Sequence, residues 1–194
     1  MTRLRSATDS GFTLVELIVT IAVLAVLVAM AGPAIDRLAR QSRLDADTEK
    51  FQAALSYARS EAMKRSTTVS ILPSASGYAG GWRITTDNGT LNPDCRLDTE
   101  QGEAILRVQD PLSASTGVIL ASEPASSTAQ ITCATPSLAP NACISYRYDG
   151  ASILTNGGFL ATTVCVRDQA DPTGLFRAFT INSTGQPYLS KVKN

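Results

Sequence analysis

The sequence contains no histidine. That removes the side chain most used for proton transfer near neutral pH, the Ser-His-Asp and Cys-His arrangements, and the commonest metal ligand. Nothing else takes its place: there is no Gly-rich phosphate loop, no metal-spaced cysteine cluster and no isolated carboxylate pair in an apolar setting. These absences predict a protein that is not an enzyme and has no cofactor or metal site. An excess of charge is missing too, with 17 Lys and Arg against 17 Asp and Glu. Without residues 1–11, which hold Arg3, Arg5 and Asp9, the balance is 15 basic to 16 acidic. No global field draws the chain to nucleic acid or anionic lipid, so any such binding has to be a local patch.

Cysteine is scarce and confined to the distal part, at Cys95, Cys133, Cys143 and Cys165, with no C-x-x-C pair. An even count in a domain beyond a hydrophobic segment reads as two disulfides in an oxidising compartment; four buried thiols in a cytoplasmic protein is the alternative. Three pairings are open. The short separation of Cys133 and Cys143, across the loop TPSLAPNA, favours that bridge, which leaves Cys95–Cys165 to close a long loop.

What the chain does have is one long apolar run. From Phe12 to Met30 only Thr13, Glu16 and Thr20 interrupt it. At about 1.5 Å per residue a helix of that length just spans the hydrocarbon of a bilayer. A secretory signal peptide calls for a shorter core and no early carboxylate, although AMAGP resembles a small-residue cleavage site. An ordinary membrane anchor does not call for Glu16 either, since an acid within the bilayer costs roughly 2.5–3.5 kcal/mol. A third reading makes the acid functional. Arg3 and Arg5 precede the run while Arg37, Arg40 and Arg43 follow it, so flanking charge alone does not orient the segment.

The string Gly11-Phe12-Thr13-Leu14-Val15-Glu16 resembles the processing site of type IV prepilins and type II secretion pseudopilins. The resemblance implies that residues 1–11 are a leader, that a prepilin peptidase cuts between Gly11 and Phe12 on the cytoplasmic side, and that Phe12 is then N-methylated. It also places Glu16 fifth and Pro33 twenty-second from the new N-terminus, positions that the family fills in the same way. The new Phe12 amine and the Glu16 carboxylate are about 6 Å apart along the helix axis. Each is costly alone in lipid, and Glu16 of one subunit paired with Phe12 of a neighbour offsets both. Glu16 reaching for the headgroups is the simpler alternative. Together with the cysteines, the resemblance orients the chain with leader inside and domain outside.

After Pro33 the sequence has no Gly or Pro for over thirty residues, and Leu44, Phe51, Leu55, Ala58 and Ala62 form an amphipathic stripe. Gly32-Pro33 predicts a kink or break. From Thr67 the pattern shifts to short runs between turns, with strands expected at 69–72, 82–85, 104–108, 117–121, 130–133, 143–148, 159–167, 176–181 and 186–189. Ile144, Tyr146 and Tyr148 fall on one strand face, and Trp82 reads as a core or loop anchor. Arg59, Glu61 and Lys64 read as a solvated, ion-paired helix face. The expected fold class is α+β: a long N-terminal helix on an antiparallel β domain. The expected organisation is a leader at 1–11, a transmembrane and assembly helix at 12–34, an amphipathic helix at 35–66 and a periplasmic or extracellular β domain at 67–194.

The stretch from Tyr57 to Arg65, then Gly80-Gly81-Trp82, and the closing FRAFTINSTGQPYL are similar to the GspH, FimU and FimT subgroup, while the chain from about 91 to 141 does not match clearly. The implied function is that of a minor pilin at or near a type IV pilus tip, helping to prime assembly with other major and minor pilins. It would sit in the inner membrane before assembly and on the cell surface afterwards. A GspH-type pseudopilin of a type II secretion system is the alternative. A DNA-binding, FimT-like role is a third, with Lys191, Lys193, Arg177 and Arg167 as a sparse phosphate-binding patch.

Overall fold

The computed structural model describes residues 11–88, 93–122, 133, 142–154, 158–160, 162–170, 174–182 and 184–193, with backbone alone at 29–34, 121–122 and 189–193. The chain divides into two compact units, Met1–Ala39 and Arg40–Asn194.

Helix α1 runs from Leu14 to Arg65. Its start is set by Thr13, whose Oγ1 accepts the Glu16 N–H at 3.2 Å, while its carbonyl accepts the Leu17 N–H at 3.1 Å. This is half of a Thr-x-x-Glu capping box. Of the kink or break expected at Gly32-Pro33, there is no break: the helix runs through both residues. Proline removes one hydrogen bond, and the Ala, Leu and Met on either side are strong enough helix formers to carry the ladder past it. Ser66 ends the helix in the left-handed region at φ 53°, and the Thr67 N–H closes back on the Ala62 carbonyl.

Within the second unit the stripe Leu44, Phe51, Leu55, Ala58 and Ala62 is buried as the spacing predicts, and Ala54 joins it. The turn between Leu44 and Phe51 is different, because Asp47 and Thr48 occupy its buried side. Arg59 is not simply solvated, since its Nε–H donates to the Gly150 carbonyl at 3.0 Å. Glu61 does pair along the helix, with Lys64 at 3.6 Å and Arg65 at 2.6 Å.

Nine strands follow among the described residues: β1 Thr68–Ser74, β2 Gly77–Asp87, β3 Ile105–Gln109, β4 Thr116–Ser122, β5 Ile144–Tyr146, β6 Ser152–Ile153, β7 Thr162–Asp168, β8 Phe176–Ile181 and β9 Pro187–Lys193. They form two antiparallel sheets, one ordered β3-β2-β1-β5-β6 and the other β4-β7-β8-β9. Both sheets meet α1 in one core. Val69, Ile71 and Ile84 come from the first sheet and Val164, Phe179 and Ile181 from the second. Phe51 sits at its centre, with ring centroids 5.1 Å from Tyr78, 5.0 Å from Trp82 and 5.9 Å from Phe179. Trp82 is thus a core residue. Helix, first sheet and second sheet depend on one another for burial, which is the α+β arrangement expected.

Several details differ from the sequence pattern. The run 130–133 lies outside the described residues apart from Cys133, which belongs to no strand. Tyr148 does not share a strand face with Ile144 and Tyr146: β5 stops at Tyr146, and Tyr148 is exposed in the turn that Asp149 and Gly150 complete. β6 has only two residues, too few for an alternation to show.

The disulfides are Cys95–Cys143 and Cys133–Cys165, with Cα–Cα separations of 5.5 and 5.7 Å, so the expected Cys133–Cys143 and Cys95–Cys165 pairing is corrected. The reason is topological. Cys143 leads into β5, inside the first sheet, whereas Cys165 lies in the middle of β7, inside the second. Cys133 packs with Cys165, Phe176 and Ala178 of the second sheet, whereas Cys143 stands at the first. Each bridge ties a loop to a sheet, Cys95 to the first and Cys133 to the second.

Candidate assembly site

The N-terminal segment builds its own chemistry. Gly11, Phe12 and Thr13 precede the helix, and a side chain added at Gly11 would meet nothing within 4 Å. Gly11 and Phe12 are exposed and stand immediately before the helix start capped by Thr13. From Phe12 to Val28 every residue is exposed, on all sides of the helix, including Phe12 at 77 % and Leu17 at 54 %. A helix that is apolar all round is stable only when something else covers it.

Three polar side chains interrupt this surface, and two are satisfied locally. Thr13 caps the helix, and the Thr20 hydroxyl donates to the Leu17 carbonyl at 2.8 Å. The Glu16 carboxylate alone has no hydrogen-bond or ion-pair partner among the described residues. Its place in the first turn suits the positive end of the helix dipole. Pro33 continues the helix, with only its backbone described. Among the described residues no helix is long and apolar enough to cross a membrane.

Of the four cations of the expected DNA patch, two, Arg177 and Arg167, have described side chains. Arg177 is buried, and its Nε–H donates to Asp45 on α1 at 2.6 Å, so it is not offered to a phosphate. Arg167 is half-buried on β7. Lys191 and Lys193 are described through their backbone only, opposite Ala178 and Phe176 on β8. Charge neutrality had hidden Arg177's role, since a cation in a strand reads as surface until its partner on the helix is known.

Sequence reasoning missed a second group of polar residues, which joins α1 to the second sheet and the turn before it. The Asp47 carboxylate accepts from the Thr116 hydroxyl at 2.7 Å, the Ser113 N–H at 3.1 Å and Lys50 Nζ at 2.9 Å. Burial pushes its pKa up, but the hydrogen bonds from Lys50, Thr116 and Ser113 outweigh that and leave it below the ordinary value. Arg40 pairs with buried Asp168 at 3.5 Å. The available signal was Asp47 itself, three residues from Leu44 and four from Phe51, on the apolar stripe.

Helix, sheets and N-terminal segment together define a pilin-like structural subunit rather than an enzyme. Residues 47–185 match the family described as type II transport protein GspH, and residues 7–32 match the prokaryotic N-terminal methylation motif. The chain belongs to the GspH family of minor pilins and pseudopilins. Among solved structures it is similar to the type IV minor pilin FimU of Pseudomonas aeruginosa strain PAO1, with 19% identity and a TM-score of 0.53, covering 81% of this chain and 97% of that one. The minor pseudopilin EpsH of the Vibrio cholerae type 2 secretion system also aligns, at 11% identity and a TM-score of 0.45, over 76% of this chain and 95% of that one. At these identities the likeness is one of fold. No curated protein sequence matches.

Proposed function

We propose that the chain is made as a prepilin, cut between Gly11 and Phe12, N-methylated on Phe12, and assembled as a minor subunit of a type IV pilus near its tip. The observation that carries this reading is the isolated Glu16 carboxylate on a helix whose apolar side chains are exposed all round. Before assembly the segment from Phe12 to Met30 is held in the inner membrane, its apolar sequence continuing past the last described side chain at Val28. In the filament, neighbouring helices replace lipid, and Glu16 meets the Phe12 amine of the next subunit. A pilus position is supported by two disulfides that stiffen a domain exposed outside the cell. The GspH family match favours a second reading, a pseudopilin of a type II secretion system.

The test is a clean deletion in the native host, scored together for pilus-driven motility, DNA uptake and exoprotein secretion. Lost motility with normal secretion is the expected result. Lost secretion with intact motility would replace the pilus reading with the pseudopilin one. Complementation with Glu16→Ala is expected to leave the protein in the membrane and absent from filaments.

A further inference from the structure

The first sheet carries a groove that the assembly segment does not use. It has a volume of about 290 Å³ and lies between the β1–β2 hairpin and the end of β3. Its floor is a cross-strand row, with Arg83 directly opposite Leu72 on β1 and Val108 on β3. The neighbouring Trp82 is drawn into the core by Phe51, so the alternation of β2 turns Arg83 outward.

Two glycines shape the upper wall. Gly81 has φ +94°, and a Cβ there would sit 2.4 Å from the Gln109 carbonyl oxygen; a Cβ on Gly80 would collide with the hydroxyls of Ser74 and Ser76. Gly81 does not tolerate a side chain, and one at Gly80 would require the two serines to move, which keeps the wall low and lets Gln109 close it. Arg83 is the one ionisable residue lining the groove, and it has no ion pair or hydrogen bond among the described residues.

Beside the groove lies a strand edge. β3 ends the first sheet, so one side of its backbone has no strand partner among the described residues. The β2–β3 pairing has one irregularity, with Ile84 and Thr85 facing Arg107 and Ile105, so Ile105 opposite Thr85 and Val108 opposite Arg83 share a face. Here Ile105 and Val108 are 46 % and 60 % exposed, and the strand's one charge, Arg107, has its guanidinium over the Tyr57 ring at 5.9 Å. An apolar edge continuous with a groove whose only charge is a free guanidinium fits one kind of ligand.

We propose that β3 and the Arg83 groove form a docking site for an extended acidic segment of a partner protein, which adds to the edge of β3, covers Ile105 and Val108, and places a carboxylate at Arg83. Backbone pairing supplies the mode of binding, the apolar residues supply contact area, and the Arg–carboxylate pair sets direction and charge preference. The site is independent of which machine the subunit serves.

The experiment uses the full chain in detergent micelles and two labelled peptides of alternating valine and glutamate or alternating valine and lysine. Fluorescence anisotropy reads affinity, and methyl NMR of Ile105 and Val108 reads location. The glutamate peptide is expected to saturate below millimolar concentration and to shift both methyl groups, while the lysine peptide does not bind. Arg83→Glu is expected to weaken the glutamate peptide at least about tenfold and to admit the lysine peptide. Val108→Ser, which removes apolar contact without adding charge, is expected to weaken the glutamate peptide less. Arg83 is exposed, so unchanged thermal unfolding of the variant verifies its fold. Equal affinity for the two peptides, unchanged binding by Arg83→Glu, or shifts confined to other methyl groups would overturn the proposal.

Discussion

Two adjacent stretches of α1 hold the same β domain by different means. From Phe51 to Ala62 the buried face is aromatic and aliphatic, and it packs on both sheets. From Arg40 to Lys50 the buried face has one aliphatic contact, Leu44, and otherwise works through Asp47, Thr48, Asp45–Arg177 and Arg40–Asp168. Apolar burial is insensitive to pH and has no preferred partner. A hydrogen-bonded carboxylate is directional: it fixes the β3–β4 turn to one position on the helix and responds to protons and ions. The upper stretch therefore holds the domain to α1, and the lower stretch sets its register.

The largest effect should come from the upper stretch. Phe51→Ala removes the ring that touches Tyr78, Trp82 and Phe179, and is expected to cost about 3–5 kcal/mol in denaturant unfolding. A loss below about 1 kcal/mol would mean that the core relaxes around the cavity and that the contrast between the stretches is false.

The next effect separates them by pH. Asp47→Ala leaves the Thr116 hydroxyl and the Ser113 N–H without their acceptor, expected to cost about 1–3 kcal/mol at neutral pH. The folded-state pKa of Asp47 lies below its ordinary 3.8, so its contribution is complete above that value and is lost as pH falls through the folded pKa. The difference in stability between wild type and variant should therefore be constant at neutral pH and close in the acid range. Arg40, Asp45, Lys50, Asp168 and Arg177 stand around this joint in both proteins and cancel in the comparison. A gap that persists in acid would show that the carboxylate's charge is irrelevant. Phe51→Ala should show no such closure.

The same contrast explains which parts of the molecule were legible in the sequence. Phe51, Leu55, Ala58 and Ala62 announce their face by spacing, because burial of apolar side chains obeys the helical period. Glu16 is readable for a similar reason, since a carboxylate stands out against an apolar run, whereas the cap at Thr13 emerged only from the structure. The strand at 176–181 is visible as a short run between turn signals, and it is buried on both faces. Arg177 and Asp168 were opaque: their partners lie more than a hundred residues away, and a charge carries no period that says whom it meets. The cysteines failed likewise. Nearness of Cys133 and Cys143 in sequence says nothing about the two sheets to which their bridges belong. The groove at Arg83 needed the sheet order, since Leu72, Arg83 and Val108 become neighbours only when β1, β2 and β3 pair.

The smallest effect tests how far the lower stretch behaves as a surface. Arg40 is half exposed, and its pair with Asp168 is long at 3.5 Å, while Asp168 also accepts the Ala170 N–H at 2.9 Å. Removing the arginine therefore does not leave the buried carboxylate without a donor. Arg40→Ala is expected to cost roughly 0.2–1 kcal/mol at low ionic strength and almost nothing near 1 M salt, where charges are screened beyond about 3 Å. Hydrogen exchange should register the same change locally, as faster opening of the amides around Arg40–Leu44 with those of Phe51–Ala62 unmoved. A cost that survives high salt would place Arg40 with Asp47 as a directional clamp. Its disappearance would leave Asp47 to set the register, with the Arg40 pair as its salt-sensitive margin.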